Sequence, residues 1–218
     1  ALGVKNYVDY TLHKKGPLSS SPLEAAAFFD SVNKSDVPDL QFHFSSAWSA
    51  DMYDYSKMPL SDGFTILPTL LKPKSRGTVS LRSSLFDESP VIDPRYLSVA
   101  EDRETLKRGM RIARDIVLSS AFDGLRKGSE LNYPAGLWTE ELIQEHMEQA
   151  TECVYHPVGT CKMGTDMEAV CDPLTLRVRG LQGLRVADAS IMPDVISGNT
   201  NAAVVMIAEK AADLILSK

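Results

Sequence analysis

Apolar and polar residues alternate along several short stretches in the first part of the chain. In the segment 40–45 (Leu-Gln-Phe-His-Phe-Ser) every second side chain is apolar, which predicts a β-strand with one buried face. His43 lies on the opposite face, where we expect a solvent-facing or hydrogen-bonded sheet histidine. Residues 64–71 and 78–82 predict two further strands. The apolar run 24–30 fits either a short helix or the start of a strand.

Helical spacing of the apolar residues follows in the middle of the chain. A predicted turn at 91–96 leads to a helix that begins near residue 100, because acidic residues stand in its first turn and apolar residues recur on one stripe. The stripe consists of Leu106, Met110, Ala113 and Val117. Thr139 is placed to cap a second helix, since two glutamates follow it, and this helix is predicted to end near residue 151.

The pattern changes in the last third of the chain. Short turns separate a predicted strand at 183–187 from a terminal helix at 201–216. This helix is apolar on most of its circumference, which indicates deep burial in a complete protein. If a packing partner is missing, several apolar side chains around Val204, Ile207 and Ala211 should be unusually exposed.

The composition is that of an ordinary soluble globular protein, with 44% hydrophobic and 24% charged residues among 218. This length suits one large domain or two smaller ones. The net charge is −6 and no basic run occurs, so no nucleic-acid partner is predicted. No apolar stretch reaches the roughly 18 residues of a membrane span, so none is predicted. The aromatic segment 46–61 is expected to be a surface loop or a wall of a substrate cavity.

The N-terminal sequence has neither an initiator methionine nor the apolar core of a signal peptide, so we expect a piece of a longer precursor. A glycosylation sequon at 33–35 favours an extracellular or secretory location. Cys153, Cys161 and Cys171 are not spaced like the ligands of a zinc ribbon or finger. No metal site is therefore predicted, and the thiols are expected to be buried and free, with one disulfide if the protein is exported.

Candidate chemical groups are concentrated between His156 and the start of the terminal helix. His156 opens the run His-Pro-Val-Gly-Thr-Cys-Lys-Met-Gly, and Asp188 follows the predicted strand at its carboxyl end. Asn199 precedes the helix, whose first residues (200–203) present unpaired N–H groups and the positive end of the helix dipole. Each feature taken alone is more often structural, since asparagine before a helix is commonly an N-cap.

Taken together, these groups suit the oxidation of an alcohol by a flavin. A base must remove the hydroxyl proton while hydride moves to flavin N5, and an imidazole, with an unperturbed pKa of about 6.5, suits that task. His156 is the candidate base, and Asn199 is the candidate hydrogen-bond donor to the substrate oxygen. The helix start would stabilise the flavin pyrimidine edge, and Asp188 would accept from ribityl hydroxyls or position the loop near the pyrophosphate.

Three segments carry a resemblance to a known family. They read YHPVGTCKMG (155–164), LRVADASIMP (184–193) and GNTNAAVVMIAEKAADLI (198–215). Together they resemble the C-terminal signature of the glucose–methanol–choline (GMC) oxidoreductases, with the choline dehydrogenase and animal glucose dehydrogenase branches nearest in character. A weaker similarity extends back to about residue 60 through PKSRGTVSLRSS and PVIDPRYL.

The resemblance implies an α+β protein in two parts. Residues 1–150 would form a substrate-binding domain, an antiparallel sheet with packed helices, and residues 151–218 would return as a strand–helix segment that completes an FAD-binding α/β domain. The resemblance implies His156 as the catalytic base and Asn199 as its catalytic partner. The residues that it implies at the FAD are Asp188, Ala189, Thr200, Asn201 and Ala202.

The ADP-binding N-terminal portion of the family has no counterpart here, because no G-x-G-x-x-G opening a βαβ unit occurs in the chain. The parent enzyme is expected to oxidise a small-molecule alcohol or a sugar hydroxyl, whereas the chain alone should bind FAD poorly and be inactive. Two alternatives stay open. One is a hydroxynitrile lyase of the same family that keeps FAD for structure, and the other is a non-catalytic fragment that acts as a binding module.

Overall fold

The computed structural model describes residues 4–21, 23–32, 34–46, 63–126 and 138–217, which form two compact units. The first unit contains the residues up to 70 together with 104–152, and the second contains 71–103 together with the residues from 153 onward. The sequon residue at position 33 and nearly all of the aromatic segment 46–61 lie outside the described residues.

The first unit contains a three-stranded antiparallel sheet in the order β1–β2–β3. Its strands are β1 (Leu23–Phe29), β2 (Leu40–Ser45) and β3 (Thr65–Leu70). The predicted strands at 40–45 and 64–71 are thus confirmed, and the run 24–30 belongs to a strand rather than a helix. His43 is half-buried and shares hydrogen bonds with the side chains of Gln41 (2.9 Å) and Thr69 (3.4 Å), as expected for a satisfied sheet histidine.

The apolar face of β2 packs against a long helix, α2 (Ala100–Leu118). Leu40 is completely buried and clusters with Phe42 and Ala113. Gly109 permits this close packing, because a Cβ at that position would lie 3.1 Å from a Leu40 methyl group. The predicted helical stripe is confirmed. Leu106, Met110 and Ala113 are buried and Val117 is half-buried.

Two further helices belong to the first unit. The helix α3 (Glu140–Ala150) begins as predicted, with the Leu142 N–H donating to Thr139 Oγ1 at 3.2 Å, and it buries Ile143 and Met147. The helix α1 (Val4–His13) has no counterpart in the sequence-based prediction. Several of its apolar side chains remain exposed, among them Tyr7 and Leu12.

The second unit begins with a short antiparallel pair, β4 (Thr78–Ser80) and β5 (Val91–Asp93). The strand predicted at 78–82 is confirmed in shortened form, whereas the turn predicted at 91–96 is wrong for residues 91–93. Val91 and Ile92 form β5 because they pair with Ser80 and Val79, a contact that the local sequence does not reveal.

Residues 153–200 of the second unit are held by irregular backbone pairing. The strand predicted at 183–187 is wrong, since only an isolated bridge joins Arg185 to Arg177. Gly180 and Gly183 both have positive φ and form a tight turn, so the two sides pair over too few residues for a regular ladder. The core of this unit consists of Cys171, Leu176, Ile191, Met192, Ile207 and Ala211.

The terminal helix α4 (Asn201–Leu216) is confirmed, and it buries one face in that core. Ile207 and Ala211 are buried and Val204 is half-buried, and the expected exposed apolar side chains are found at neighbouring positions of the helix. Other apolar side chains of the helix are exposed, namely Val205, Met206, Ile215 and Leu216. In the part of the chain that the structure describes, no helix combines the length and apolar character of a membrane span.

These observations confirm the predicted α+β class with an antiparallel sheet and packed helices. The second unit includes 71–103, which precede the boundary predicted at residue 150. The assignment of 1–150 to a substrate domain and of 151–218 to an FAD domain remains a prediction.

Candidate active site around His156

The segment that begins at His156 lies beside the segment that follows Asp188. The backbone N–H of Cys161 donates to the carbonyl of Ser190 (2.9 Å), and that of Met163 donates to Ile191 (2.8 Å). Gly159 adopts φ +88°, and a Cβ there would come within 3.3 Å of the Met192 carbonyl. The two sequence signatures therefore form one structural element, which an L side chain at position 159 would strain.

Asp188 caps the short 3₁₀ turn Ala189–Ile191. Its Oδ1 accepts from the Ser190 hydroxyl (2.5 Å) and from the Ser190 N–H (2.8 Å), and these two bonds lower the pKa of the carboxyl. Asp188 is exposed, and Ala189 is half-buried where it packs on the core of the unit. The side chain of Asp188 thus fixes the turn, and its predicted contact with the ribityl chain stays a prediction.

The imidazole of His156 is held between two residues at the start of α4. Its Nε2 lies 2.8 Å from Asn199 Nδ2, and its Nδ1 lies 3.0 Å from Thr200 Oγ1. The structure therefore brings the two predicted catalytic residues into hydrogen-bond contact across 43 positions of sequence. His156 is half-buried, Asn199 is exposed and Thr200 is buried.

The orientation of the Asn199 amide in this structure, with Nδ2 toward the ring, favours one tautomer of His156. An amide NH₂ group can only donate, so the Nε2 that faces it accepts through its lone pair. A neutral imidazole then carries its proton on Nδ1, which donates to Thr200 Oγ1. In this tautomer Nε2 is unprotonated, as a general base requires.

The residue before His156 has an uncommon backbone conformation. Tyr155 adopts φ +61°, in the left-handed region that non-glycine residues seldom occupy, and its N–H donates to Cys153 Sγ at 3.1 Å. The Cys153 thiol also shares a hydrogen bond with the Tyr96 hydroxyl, which together with partial burial raises the pKa of Tyr96 to about 12. Strained backbone of this kind is concentrated at functional sites.

The first turn of α4 has backbone N–H groups to which the side chain of its N-cap residue makes no hydrogen bond. Thr200 is the N-cap, yet its side chain makes no hydrogen bond to the first-turn N–H groups. Asn201 and Ala202, which were predicted at the flavin, are exposed in this first turn. The unpaired N–H groups and the positive end of the helix dipole are therefore available to an external acceptor.

The three cysteines are free thiols. Cys171 is completely buried, and burial, followed by the nearby Cys161 and Asp188, raises the pKa of its thiol. Cys153 and Cys161 are half-buried, so the expectation of burial holds in full for Cys171 alone. Within the described ranges, no three His, Cys, Asp or Glu side chains form a group that could hold a metal ion.

Sequence reasoning missed the contact of the Thr200 hydroxyl with His156 and the contacts of two arginines in the second unit. Arg179 donates from its guanidinium to the carbonyls of Gly164 and Asp166 (both 2.5 Å), and Arg76 forms an ion pair with Asp194. The sequence around an arginine that lies near glycine-rich turns does not indicate which distant residues it contacts. Thr200 does give a local signal, because the hydroxyl of a threonine directly before a helix usually has a hydrogen-bond partner.

Comparisons with known proteins show which proteins the chain is similar to. A family model described as GMC oxidoreductase matches residues 73–208. The alcohol dehydrogenase (acceptor) of Pseudomonas putida is 40% identical over 216 residues, 99% of this chain and 38% of that protein. An oxygen-dependent choline dehydrogenase of Brucella ovis is 39% identical over 213 residues, 97% of this chain and 38% of that protein.

A solved structure gives the same result for the fold. Pyridoxine 4-oxidase from Mesorbium loti superposes with a TM-score of 0.80 at 28% identity, covering 90% of this chain and 38% of that one. The chain belongs to the GMC oxidoreductase family. It spans 38% of the length of the two curated relatives described above.

Proposed function

We propose that this chain is the C-terminal part of an FAD-dependent oxidoreductase that oxidises an alcohol or a sugar hydroxyl. The observation that carries the proposal is the contact between Nε2 of His156 and the amide nitrogen of Asn199 at 2.8 Å, in which Nε2 is the acceptor. Deprotonation of a hydroxyl requires a base that takes the proton and a hydrogen-bond donor that stabilises the oxygen, and these two residues can supply both. The relatives named as alcohol and choline dehydrogenases support the substrate class.

The residues at the start of α4 fit an FAD. The Thr200 side chain does not cap the helix, so the first-turn N–H groups remain for an acceptor such as the flavin O2. Asn201 and Ala202 are exposed beside them, and no bulky side chain occupies positions 201–203. Asp188 and Ala189 would stand closer to the ribityl side. When bound, FAD supplies the acceptor for the hydride.

His156 and Asn199 divide the work on the substrate hydroxyl. Nε2 of His156 takes the hydroxyl proton, and the Nδ2 of Asn199 donates to the oxygen as negative charge develops there. The electron pair of the C–H bond leaves as hydride, so the carbon is oxidised while the proton stays on His156. Half-burial of the imidazole limits competing hydrogen bonds from water.

The rest of the protein would supply the ADP-binding portion. The chain covers 38% of its relatives' length and has no glycine-rich nucleotide turn. We therefore infer that an N-terminal portion of the same polypeptide holds the adenine and pyrophosphate of FAD. By itself this chain is expected to bind FAD weakly and to lack activity.

The test uses the full-length protein loaded with FAD and mixed without oxygen with a panel of alcohols. Loss of the flavin's oxidised absorbance reports hydride transfer. His156→Gln should slow this reduction by roughly 10²–10⁴-fold, the usual contribution of acid–base catalysis. The matched control is His13→Gln, at the exposed end of α1, which should reduce at the wild-type rate.

A loss below tenfold in His156→Gln, with FAD still bound, would contradict the role of this histidine. If no alcohol reduces the wild-type flavin and the protein cleaves a cyanohydrin, the proposed oxidation is wrong and the protein is a lyase.

A further inference from the structure

We propose that Thr200 is a positioning residue for His156: its hydroxyl accepts a hydrogen bond from Nδ1–H and, together with the Asn199 amide at Nε2, favours the tautomer in which Nε2 is the base. The inference rests on the proposed function, because it assigns a supporting group to the same histidine. Sequence reasoning placed Thr200 at the cofactor through its backbone, and the hydroxyl has a separate use.

The contact has the geometry of a hydrogen bond between two ordered groups. Thr200 Oγ1 lies 3.0 Å from His156 Nδ1, and Thr200 is only 6% exposed. Burial excludes most of the water that would otherwise bind Nδ1. Since a hydroxyl oxygen has two acceptor lone pairs, it can accept a hydrogen bond from Nδ1–H and still donate its own hydrogen elsewhere.

The helix provides an independent observation. A threonine at an N-cap ordinarily accepts a hydrogen bond from the second or third helical N–H, which contributes about 1 kcal/mol. Thr200 makes no such bond, and its backbone is helical (φ −80°, ψ −15°) rather than extended. Thr139, the N-cap of α3, has the extended backbone and does make the bond. The Thr200 hydroxyl is thus directed to the histidine instead of its own helix.

Two contacts then act together on one ring. Asn199 Nδ2 donates toward Nε2, which places the hydrogen on Nδ1, and the Thr200 hydroxyl, which can accept as well as donate, accepts from this Nδ1–H. The substrate oxygen competes for the Asn199 amide during catalysis. Thr200 is not placed to contact the substrate oxygen, so its hydrogen bond with Nδ1–H remains when the substrate is present.

The experiment compares Thr200→Val, which removes the hydroxyl at nearly constant shape, with Thr200→Ser, which keeps it. The first readout is the ¹⁵N spectrum of labelled histidine in the full-length protein at about pH 9, where imidazoles are neutral. The His156 signals are assigned by their loss in His156→Gln. We expect Nδ1 to carry the hydrogen in the wild type and in Thr200→Ser, and this preference to disappear in Thr200→Val.

The second readout is anaerobic flavin reduction. Loss of a partner that orients an imidazole costs about 10–100-fold where the ring is a metal ligand, and we expect a similar fall in the reduction rate of Thr200→Val. Substrate affinity should change much less than the rate, since Thr200 is placed to contact the histidine and not the alcohol. Thr200→Ser should recover most of the rate. Thr11→Val, on the exposed face of α1, is the control substitution and should change neither readout.

The outcomes separate the two proposals. An Nε2–H tautomer in the wild type, or an unchanged tautomer and rate in Thr200→Val, would overturn the role of Thr200. The wild-type spectrum needs only the assignment by His156→Gln, so a failure of Thr200→Val to fold does not prevent the test. If no alcohol reduces the wild-type flavin, the proposed function fails, and the ¹⁵N spectra still decide whether Thr200 selects the tautomer.

Discussion

The two units of the chain are stabilised in different ways. The first unit combines a regular antiparallel sheet with helices, and its central contact is apolar, between β2 and α2. The second unit has an apolar core as well, but its backbone from 153 to 200 contains no strand longer than an isolated bridge. Its segments are joined by individual hydrogen bonds, such as that from Cys161 to Ser190.

Carboxylates fix several turns of the second unit. Asp102 accepts from the N–H groups of Lys74 and Ser75, Asp172 accepts from Leu174 and Thr175, and Asp188 accepts from Ser190. Each bond fixes a turn that no ladder supports. The candidate site belongs to this unit, which indicates that an irregular backbone can hold a histidine accurately when local polar contacts fix every turn.

The largest effect is expected from the apolar contact of the first unit. Leu40→Ala should lower the free energy of unfolding by about 4 kcal/mol, within the usual 2–5 kcal/mol for a buried leucine, because the completely buried side chain leaves a cavity next to Gly109. Chemical denaturation measures the loss, and hydrogen exchange locates it. Exchange should accelerate at the amides of β2 and β3.

The control for this prediction is Leu12→Ala, since Leu12 is largely exposed on α1 and its loss should cost well under about 1 kcal/mol. Equal acceleration of exchange at Cys161 and Met163 in Leu40→Ala would show that the two units unfold together, and the comparison between them would then fail.

A somewhat smaller effect is expected from the polar anchor of the second unit. Asp102 is 3% exposed, and its carboxylate accepts two backbone N–H groups and the Ser75 hydroxyl (2.6 Å). Asp102→Ala should cost about 3 kcal/mol, because these donors lose a charged acceptor in a buried place. Exchange should accelerate at Lys74 and Ser75.

Glu101→Ala is the matched control, because Glu101 is the neighbouring acid and forms only an exposed ion pair with Lys74. Exposed pairs contribute about 0–1 kcal/mol. If both substitutions cost the same, Asp102 does not anchor the connection, and the second unit depends on its apolar core alone.

The regular elements were predictable from the sequence for a physical reason. Alternation at 40–45 and the stripe from Leu106 to Val117 reflect burial of one face, which the local pattern encodes directly. β5 and the false strand at 183–187 depend on pairing between distant or tightly turned segments, which periodicity does not encode. Elements with a regular burial pattern can therefore be predicted from the sequence better than elements that depend on irregular pairing.

The candidate site shows the same division. His156 and Asn199 could be proposed because their residue types fit a chemical need, and the structure brings them together. The family signature supplied most of that prediction, since each residue alone is more often structural. The direction of the Thr200 hydroxyl could not be predicted, because it depends on the backbone angles at the helix start. Residue type predicts which groups react, and backbone conformation decides what they contact.

A smaller effect is expected at the N-cap of α3 in the first unit. Thr139 Oγ1 accepts from the Leu142 N–H, so Thr139→Ala should lower the free energy of unfolding by about 1 kcal/mol. Thr139→Ser keeps the acceptor and should cost much less. Thermal unfolding of the two variants measures the difference. Equal losses in both would mean that the cap hydroxyl contributes nothing and that the threonine methyl group accounts for the effect.

The smallest effect concerns acid pH and returns to the turn beside the candidate site. Hydrogen bonds from Ser190 lower the pKa of Asp188, so the folded state gains stability from this carboxylate above the ordinary aspartate pKa of about 3.9. That contribution disappears as pH falls through the lowered value, when the carboxyl becomes protonated. Hydrogen exchange at Cys161 and Met163, corrected for intrinsic rates, should therefore show more frequent opening at pH 3 than at pH 5.

Asp188→Asn should reduce this difference, because an amide does not titrate and still offers an acceptor oxygen. The matched control is Asp30→Asn in the first unit, where hydrogen bonds led by that from Val32 also lower the carboxyl pKa. That substitution should change acid-dependent exchange at Val32, Lys34 and Ser35 and leave Cys161 and Met163 unchanged. An effect of Asp30→Asn at Cys161 would show that acid weakens both units as one body, and the stabilising role assigned to the Asp188 turn would then be wrong.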